Sequence, residues 1–366
     1  LGVLFFVLNV ILSARKARGL PPEPPDPWDA RSLEWFTPNP TPVHNFDDDI
    51  QIGGHPCVGN RTDTLWADNR QDLWVGCGST TNGTGLYFST DGGRSWASAD
   101  AFEDFRVSHV HRAADGVLYV AGTEVGGSGR VWTELAEPVL QSTSQTWNNY
   151  HVGSYVRLDS GEQIAESLTG SGLAWRATAD GAWEDGSGWP TDDGSYQILD
   201  AVDHGGVIVG VGSTITQPPT AFVQAETEGD FRMDPVVLEE IRGELWSVDS
   251  DGSGLVAGGV DQEASAGRVY VTDGDPTSAA DWLTLDVSEL VSGDSWIRGV
   301  CRRGQLVAAV GENPVTEDGI LLISQDGGVN WQSHPPLNAP PLTACSITDD
   351  GTVLIAGALG WIGAKG

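Results

Sequence analysis

The side chains best suited to chemistry in this sequence are carboxylates. Glu124, Glu166, Asp261 and Glu312, with Glu263, Glu317 and Asp318 close by, each follow a short apolar run that ends in small residues. Oxygen ligands gathered on one face suit a hard cation such as Ca2+; independent, solvated carboxylates are the competing reading. Two facing carboxylates would also serve a glycosidase, but among 51 acidic residues no pair is singled out by spacing. Trp147, Tyr150 and Trp189 are expected in the connections between successive structural units, where an aromatic ring can stack on a sugar or grip a peptide, although packing between those units would use tryptophans equally well. The four cysteines are too widely spaced for a zinc motif. Cys57 with Cys77, and Cys301 with Cys345, are either two bridges made in an oxidising compartment or buried free thiols. No metal-ligand set, cofactor motif or nucleophile arrangement emerges, so the expectation is a protein that binds rather than catalyses.

Composition narrows the partners. With 19 basic against 51 acidic residues the formal charge is −32, which lacks the basic footprint that phosphate recognition requires. The expected partner is therefore a protein or a glycan, not a nucleic acid. Forty-eight glycines and 15 tryptophans in 366 residues, beside a single methionine, describe many short strands joined by tight turns, with large aromatics packed between sheets.

The elements that carry these residues repeat. An apolar residue followed by a small one recurs at Val75-Gly76, Val120-Ala121, Ile164-Ala165, Val209-Gly210, Val256-Ala257, Ala308-Ala309 and Ile355-Ala356, at spacings of 45, 44, 45, 47, 52 and 47. A period near 45 residues is that of a four-stranded propeller blade. Turn residues precede six of the seven repeats, among them Asp115-Gly116, Asp251-Gly252 and Asp350-Gly351. Strands such as Leu65-Trp66-Ala67 and Leu245-Trp246-Ser247-Val248 come just before these turns and are expected innermost. Residues 342 to 362 supply about three strands, so the last blade should take its fourth from upstream, near Ile50 to Val58.

Two repeats carry a further signature. Ser89, Asp91, Gly93 and Trp96, and again Ser324, Asp326, Gly328 and Trp331, match S-x-D-x-G-x-x-W, and weaker copies stand at Ala179 to Trp183 and at Thr272-Asp273-Gly274. Ser and Asp close such a turn through local backbone N–H groups, and Gly permits its left-handed step. On these motifs residues 53–366 resemble the Asp-box, or bacterial-neuraminidase-repeat, β-propellers: all-β, seven blades, four antiparallel strands each. That group includes sialidases, xyloglucanases, sortilin-type receptors and a photosystem II assembly factor. The resemblance implies structural, not catalytic, Asp boxes. The Arg-Ile-Pro motif of sialidases is missing, and those enzymes have six blades, so a non-catalytic binding or scaffold role is expected, with a glycosidase as the alternative.

The first fifty residues are different. Residues 1–12 are apolar apart from Asn9, and Arg15, Lys16 and Arg18 follow. This reads as the end of a membrane helix over 1–19 with its basic end in the cytoplasm. A Pro-rich linker over 20–52 comes next. Asp26-Pro27-Trp28-Asp29-Ala30-Arg31-Ser32-Leu33-Glu34-Trp35, with Pro38-Asn39-Pro40 and His44-Asn45-Phe46, resembles the C-terminal tail of cytochrome c oxidase subunit I across residues 1–46. The haem and copper ligands of that family are histidines of earlier membrane helices, and none of the seven histidines here lies in residues 1–19. Leu1 in place of Met is what a truncated frame would give. A natural fusion within a respiratory complex and a frameshift or assembly join are both compatible with the sequence. An acidic, cysteine-containing propeller is expected outside the cytoplasm, secreted or at the cell surface, which conflicts with a cytoplasmic tail.

Overall fold

In the computed structural model the chain divides into two units, residues 1–50 and 51–366. The structure describes residues 50–51, 56–57, 59–78, 83–112, 116–125, 128–136, 139–148, 152–167, 173–176, 184–185, 197–212, 217–225, 232–334 and 339–365. The expected membrane-helix end and most of the Pro-rich linker lie outside these residues, as does the turn at Ala179 to Trp183. Among the described residues no helix is long and apolar enough to cross a membrane.

The described residues form seven four-stranded sheets, and every strand pair with a stated register is antiparallel. Six are self-contained, each made of four consecutive strands. The seventh is composite: Leu342–Ile347, Val353–Gly357 and Ile362–Lys365 are completed at the outer edge by Ile50–Gln51, from the upstream stretch that the strand count required. The inner strands are Thr62–Ala67, Phe105–Arg112, Val152–Arg157, Ile198–His204, Gly243–Ser250, Trp296–Arg303 and Leu342–Ile347, and residues from all seven line one central channel.

The described residues share no single core. Seven apolar clusters each fill the seam between two adjacent sheets, and the first joins Leu65 and Val75 of the first sheet to Leu354 and Ile362 of the last. The second strand of each sheet packs against both neighbours, which is why Leu73–Gly78 and Leu255–Asp261 are buried along their whole length. Trp96, Trp282 and Trp331 lie near the outer end of their sheets and pack on the seam with the preceding sheet.

The glycines one or two residues beyond the small-residue repeat have a steric cause. Each inner strand is irregular at one equivalent point, between Thr62/Thr64, Val107/His109, Val152/Tyr155, Ile198/Asp200, Leu245/Ser247, Ile297/Gly299 and Leu342/Ala344. Such a bulge bends the strand and pushes its carbonyl toward the partner strand. Opposite it stand Gly122, Gly212, Gly259, Gly311 and Gly357. A Cβ at Gly259 would overlap the Glu244 carbonyl oxygen and lie 2.8 Å from Leu245 Cα. Both cysteine pairs form disulfides, with Cα separations of 5.4 Å for Cys57 and Cys77 and 5.8 Å for Cys301 and Cys345.

Candidate functional site: the channel and its two mouths

Strand register defines two faces. Inner strands begin where second strands end, as in the pairing of Trp296 with Glu312 and of Gly243 with Asp261. This face, the loop mouth, carries the turns from second to third strand. The other carries the tight turns from inner to second strand, and the S-x-D-x-G-x-x-W segments belong to it, because Gly92 N–H donates to Gln71 O and Gly327 N–H to Gln305 O, each at 2.9 Å. A channel of about 760 Å³ runs between the faces.

The two signature turns are built alike. Ser89 Oγ donates to Asp91 Oδ1 (2.8 Å) and accepts from Gly93 N–H (2.8 Å), while Asp91 Oδ1 accepts from Ser95 N–H (2.9 Å). Ser324, Asp326, Gly328 and Asn330 repeat the set at 2.8, 2.9 and 2.8 Å. Hydrogen bonds from Asn330 hold the Asp326 carboxyl at a pKa of about 2. The carboxylate is thus engaged by hydrogen bonds from within its own turn. In the fifth sheet Gly274 N–H donates to Thr272 Oγ1 at 3.0 Å, and Trp282 is buried.

At the loop mouth, Glu124, Asp261 and Glu312 do end equivalent strands, but they form no cation cage. Each is held by an arginine: Glu124 by Arg130 at 3.1 Å, Asp261 by Arg268 at 3.1 Å, and Glu312 by Arg298 at 2.6 Å. Arg268 also meets Asp286 at 2.7 Å and Glu239 at 3.4 Å, and Asp261 caps its turn by accepting from Glu263 and Ala264 N–H. Among the described residues no group of three or more His, Cys, Asp or Glu side chains is placed to hold a metal. Glu166 lies on Gln163–Ser167. Trp147 is within the outer strand Val139–Asn148 rather than in a connection between sheets, and Tyr150 and Trp189 fall outside the described residues.

The mouth has instead an aromatic platform that spacing did not reveal. Arg298 lies over Trp246 and Trp296, 4.3 and 4.7 Å from the ring centroids, and the two indoles are 6.0 Å apart. Trp246 Nε1 donates to Glu244 at 2.7 Å. Trp246 and Arg298 are the extra residues of their strands' bulges, so the bulges aim them at the channel. A cation held between two indole faces is pre-ordered and weakly hydrated.

Deeper in the channel the polar groups join sheets. Asp200 accepts from Val248 N–H of the next inner strand (3.0 Å), Asp249 from Arg302 N–H (2.8 Å), and Ser108 Oγ donates to Val152 O (2.5 Å). Burial pushes both carboxyls up to about 7, and each is opposed by its backbone hydrogen bonds; the Asp249 charge raises Asp200 further, and the Asp251 charge raises Asp249. Burial and the neighbouring His111 charge hold His109 down at about 3, a neutral imidazole 5.5 Å from the His111 ring. His111 stacks on Tyr119 and Tyr119 on Tyr155, at 5.8 and 5.1 Å.

These features define the class as a β-propeller of four-stranded antiparallel blades. No family model matches the chain. Among solved structures it is similar to YCF48 bound to D1 peptide, at 14% identity, covering 89% of this chain and 98% of that one with a TM-score of 0.59. It is also similar to a streptogramin B lyase (11% identity, 86% and 96%, TM-score 0.60) and to the WD40 repeats of RRP9 (12%, 87% and 96%, TM-score 0.60). At such identities the likeness is one of fold. Among curated proteins, 51 residues are 49% identical to cytochrome c oxidase subunit 1 of Alkalihalophilus pseudofirmus, 14% of this chain and 8% of that protein. A probable cytochrome c oxidase subunit 1 of Bradyrhizobium diazoefficiens matches at 44% over 46 residues, 13% and 7%. The chain thus spans less than a tenth of the length of these relatives.

Proposed function

We propose that the chain is a non-catalytic binding propeller that recognises a protein segment at its loop mouth. The observation that carries this is the Trp246, Arg298, Trp296 platform, a rigid aromatic surface of the kind that dominates recognition energetics. The carboxylates around it are occupied in ion pairs, which leaves little for acid–base work. The likeness to a propeller whose structure holds a peptide agrees with this reading. On the two signature turns and the composite last sheet we count seven blades of the Asp-box type. We place the propeller outside the cytoplasm because of its two disulfides.

A glycosidase is the second reading, favoured by the raised pKa values of Asp200 and Asp249 in the channel wall. The oxidase-like stretch supports a further proposal, attachment of the propeller to a respiratory oxidase. One experiment separates binding from catalysis: the chain is screened against a peptide array, a glycan array and a panel of chromogenic glycosides. We expect peptide binding that is lost in Trp246→Ala at unchanged melting temperature, and no turnover. Glycan binding alone would exchange the ligand class, while turnover abolished by Asp200→Asn or Asp249→Asn would overturn the reading.

A further inference from the structure

Non-glycine residues with left-handed backbone are three among the described residues: Ser265 (φ 51°), Glu317 (φ 60°) and Leu359 (φ 58°). All three fall in loop-mouth turns, in the fifth, sixth and seventh sheets in succession. On the opposite face the left-handed positions of the same sheets' tight turns are filled by Gly252, Gly304 and Gly351. Strain of this kind persists where a side chain is wanted in a set position. Two of the turns also expose apolar groups, Val315 at 73% and Leu359 at 66%.

The turns are well fixed. Asn313 Oδ1 accepts from Val315 and Thr316 N–H, and Glu317 N–H donates to Asn313 O. Between the two turns runs the connection Ala339 to Pro341, tied to one by Gly319 N–H donating to Ala339 O (3.0 Å) and to the other by Ala358 N–H donating to Pro341 O (2.8 Å). Val315 and Leu359 are thus the exposed apolar tips of two turns linked through half-buried Pro340 and Pro341, a ridge that carries the exposed Glu317 and Asp318. Neighbouring basic groups are already paired, Arg298 with Glu312 and Arg242 with Glu263.

We propose that this ridge is a docking surface for a lysine- or arginine-rich protein segment bearing an aliphatic anchor. The inference rests on the reading of the propeller as a protein binder and adds where the partner lies and what its chemistry is. Apolar tips offered in a pre-set conformation lose little entropy on binding. The acidic rim, on a chain of net charge −32, selects a cationic partner.

The test uses the full chain and fluorescence anisotropy with three labelled synthetic peptides. One alternates lysine with leucine, one has glutamate for lysine, and one has serine for leucine. We expect the first alone to bind, more weakly as salt is added. Leu359→Gly removes the anchor contact while relieving the left-handed strain, so affinity should fall about tenfold with the melting temperature held or raised. Glu317→Asn, which keeps a residue tolerant of that backbone, should weaken binding to a similar degree. The proposal is overturned if the lysine–leucine peptide does not bind, or binds both variants as tightly as the parent. Binding lost only in Trp246→Ala would remove the ridge but keep the binder reading, whereas glycoside turnover without peptide binding would remove both.

Discussion

Gly259→Ala tests whether the bulge in the inner strand requires the glycine that faces it. An alanine Cβ would overlap Glu244 O and stand 2.8 Å from both Glu244 C and Leu245 Cα, against ordinary carbon contacts of about 3.5 Å or more. All three obstacles are backbone, so no rotamer change can relieve them. The two strands must separate, or the bulge must flatten and withdraw Trp246 from the mouth. Overpacking of this type costs about 3 kcal/mol. At roughly 2.1 cal/mol/K per residue of unfolding entropy, a unit of about 300 residues loses some 1.5 °C per kcal/mol, so melting should fall by about 5 °C. Gly252→Ala is the control: its backbone is left-handed (φ 81°) but nothing lies within 4 Å of a Cβ there, and about 1 kcal/mol is expected. Differential scanning calorimetry of both variants decides the matter. A Gly259→Ala protein that melts no lower than Gly252→Ala would refute the steric account of the glycines opposite the bulges.

Asp249, whose pKa is raised to about 7 by burial, should make the fold less stable as pH climbs. Its protonated form is favoured when folded, so its contribution is fully present below the unfolded carboxyl range near pH 4 and is lost as pH rises through about 7. Asp249→Asn keeps an acceptor for Arg302 N–H and removes the charge; urea midpoints between pH 4 and 8 should then fall less steeply than in the parent, and an unchanged slope would contradict the burial argument. Arg268→Met should cost about 3 to 5 kcal/mol at pH 8, because it leaves Asp261, Asp286 and Glu239 facing one another without a cation. Partial recovery on acidification, read by thermal melts at pH 8 and pH 5, distinguishes charge repulsion from lost packing.

The parts of the fold that were legible in the sequence are those where backbone sterics dictate residue type. At Gly76 a Cβ would meet the Val107 carbonyl oxygen of the next inner strand at 2.6 Å, so a small residue there is printed in the chain, and the turn residues are likewise set by backbone geometry. Chemistry at the mouth was less legible because partners arrive across strands. Glu124, Asp261 and Glu312 occupy the strand ends that the repeat assigned to them, yet their cationic partners Arg130, Arg268 and Arg298 meet them through hairpin register. Trp246 and Arg298 had no signal of their own: an extra residue in the bulge turns a position that would otherwise face a neighbouring sheet toward the axis. Asp200 and Asp249 looked like any other acidic residues, since their burial depends on the packing of adjacent inner strands.

The seam between the last and first sheets is closed by side chains reaching backbone: Ser346 Oγ accepts from Ala67 N–H at 3.2 Å, and Thr343 Oγ1 donates to Thr62 O, across about 280 residues of sequence. Other seams join strands some fifty residues apart, as Asp200 does with Val248. Loops that close early and locally precede those that span the whole chain, so this seam is where folding ends rather than where it begins. Until it shuts, the apolar faces that meet there, with Leu65 and Val75 on one sheet and Leu354 and Ile362 on the other, are open to other chains. A nascent ring waiting on its final closure is therefore the state in which this protein is most exposed to aggregation and most in need of a chaperone.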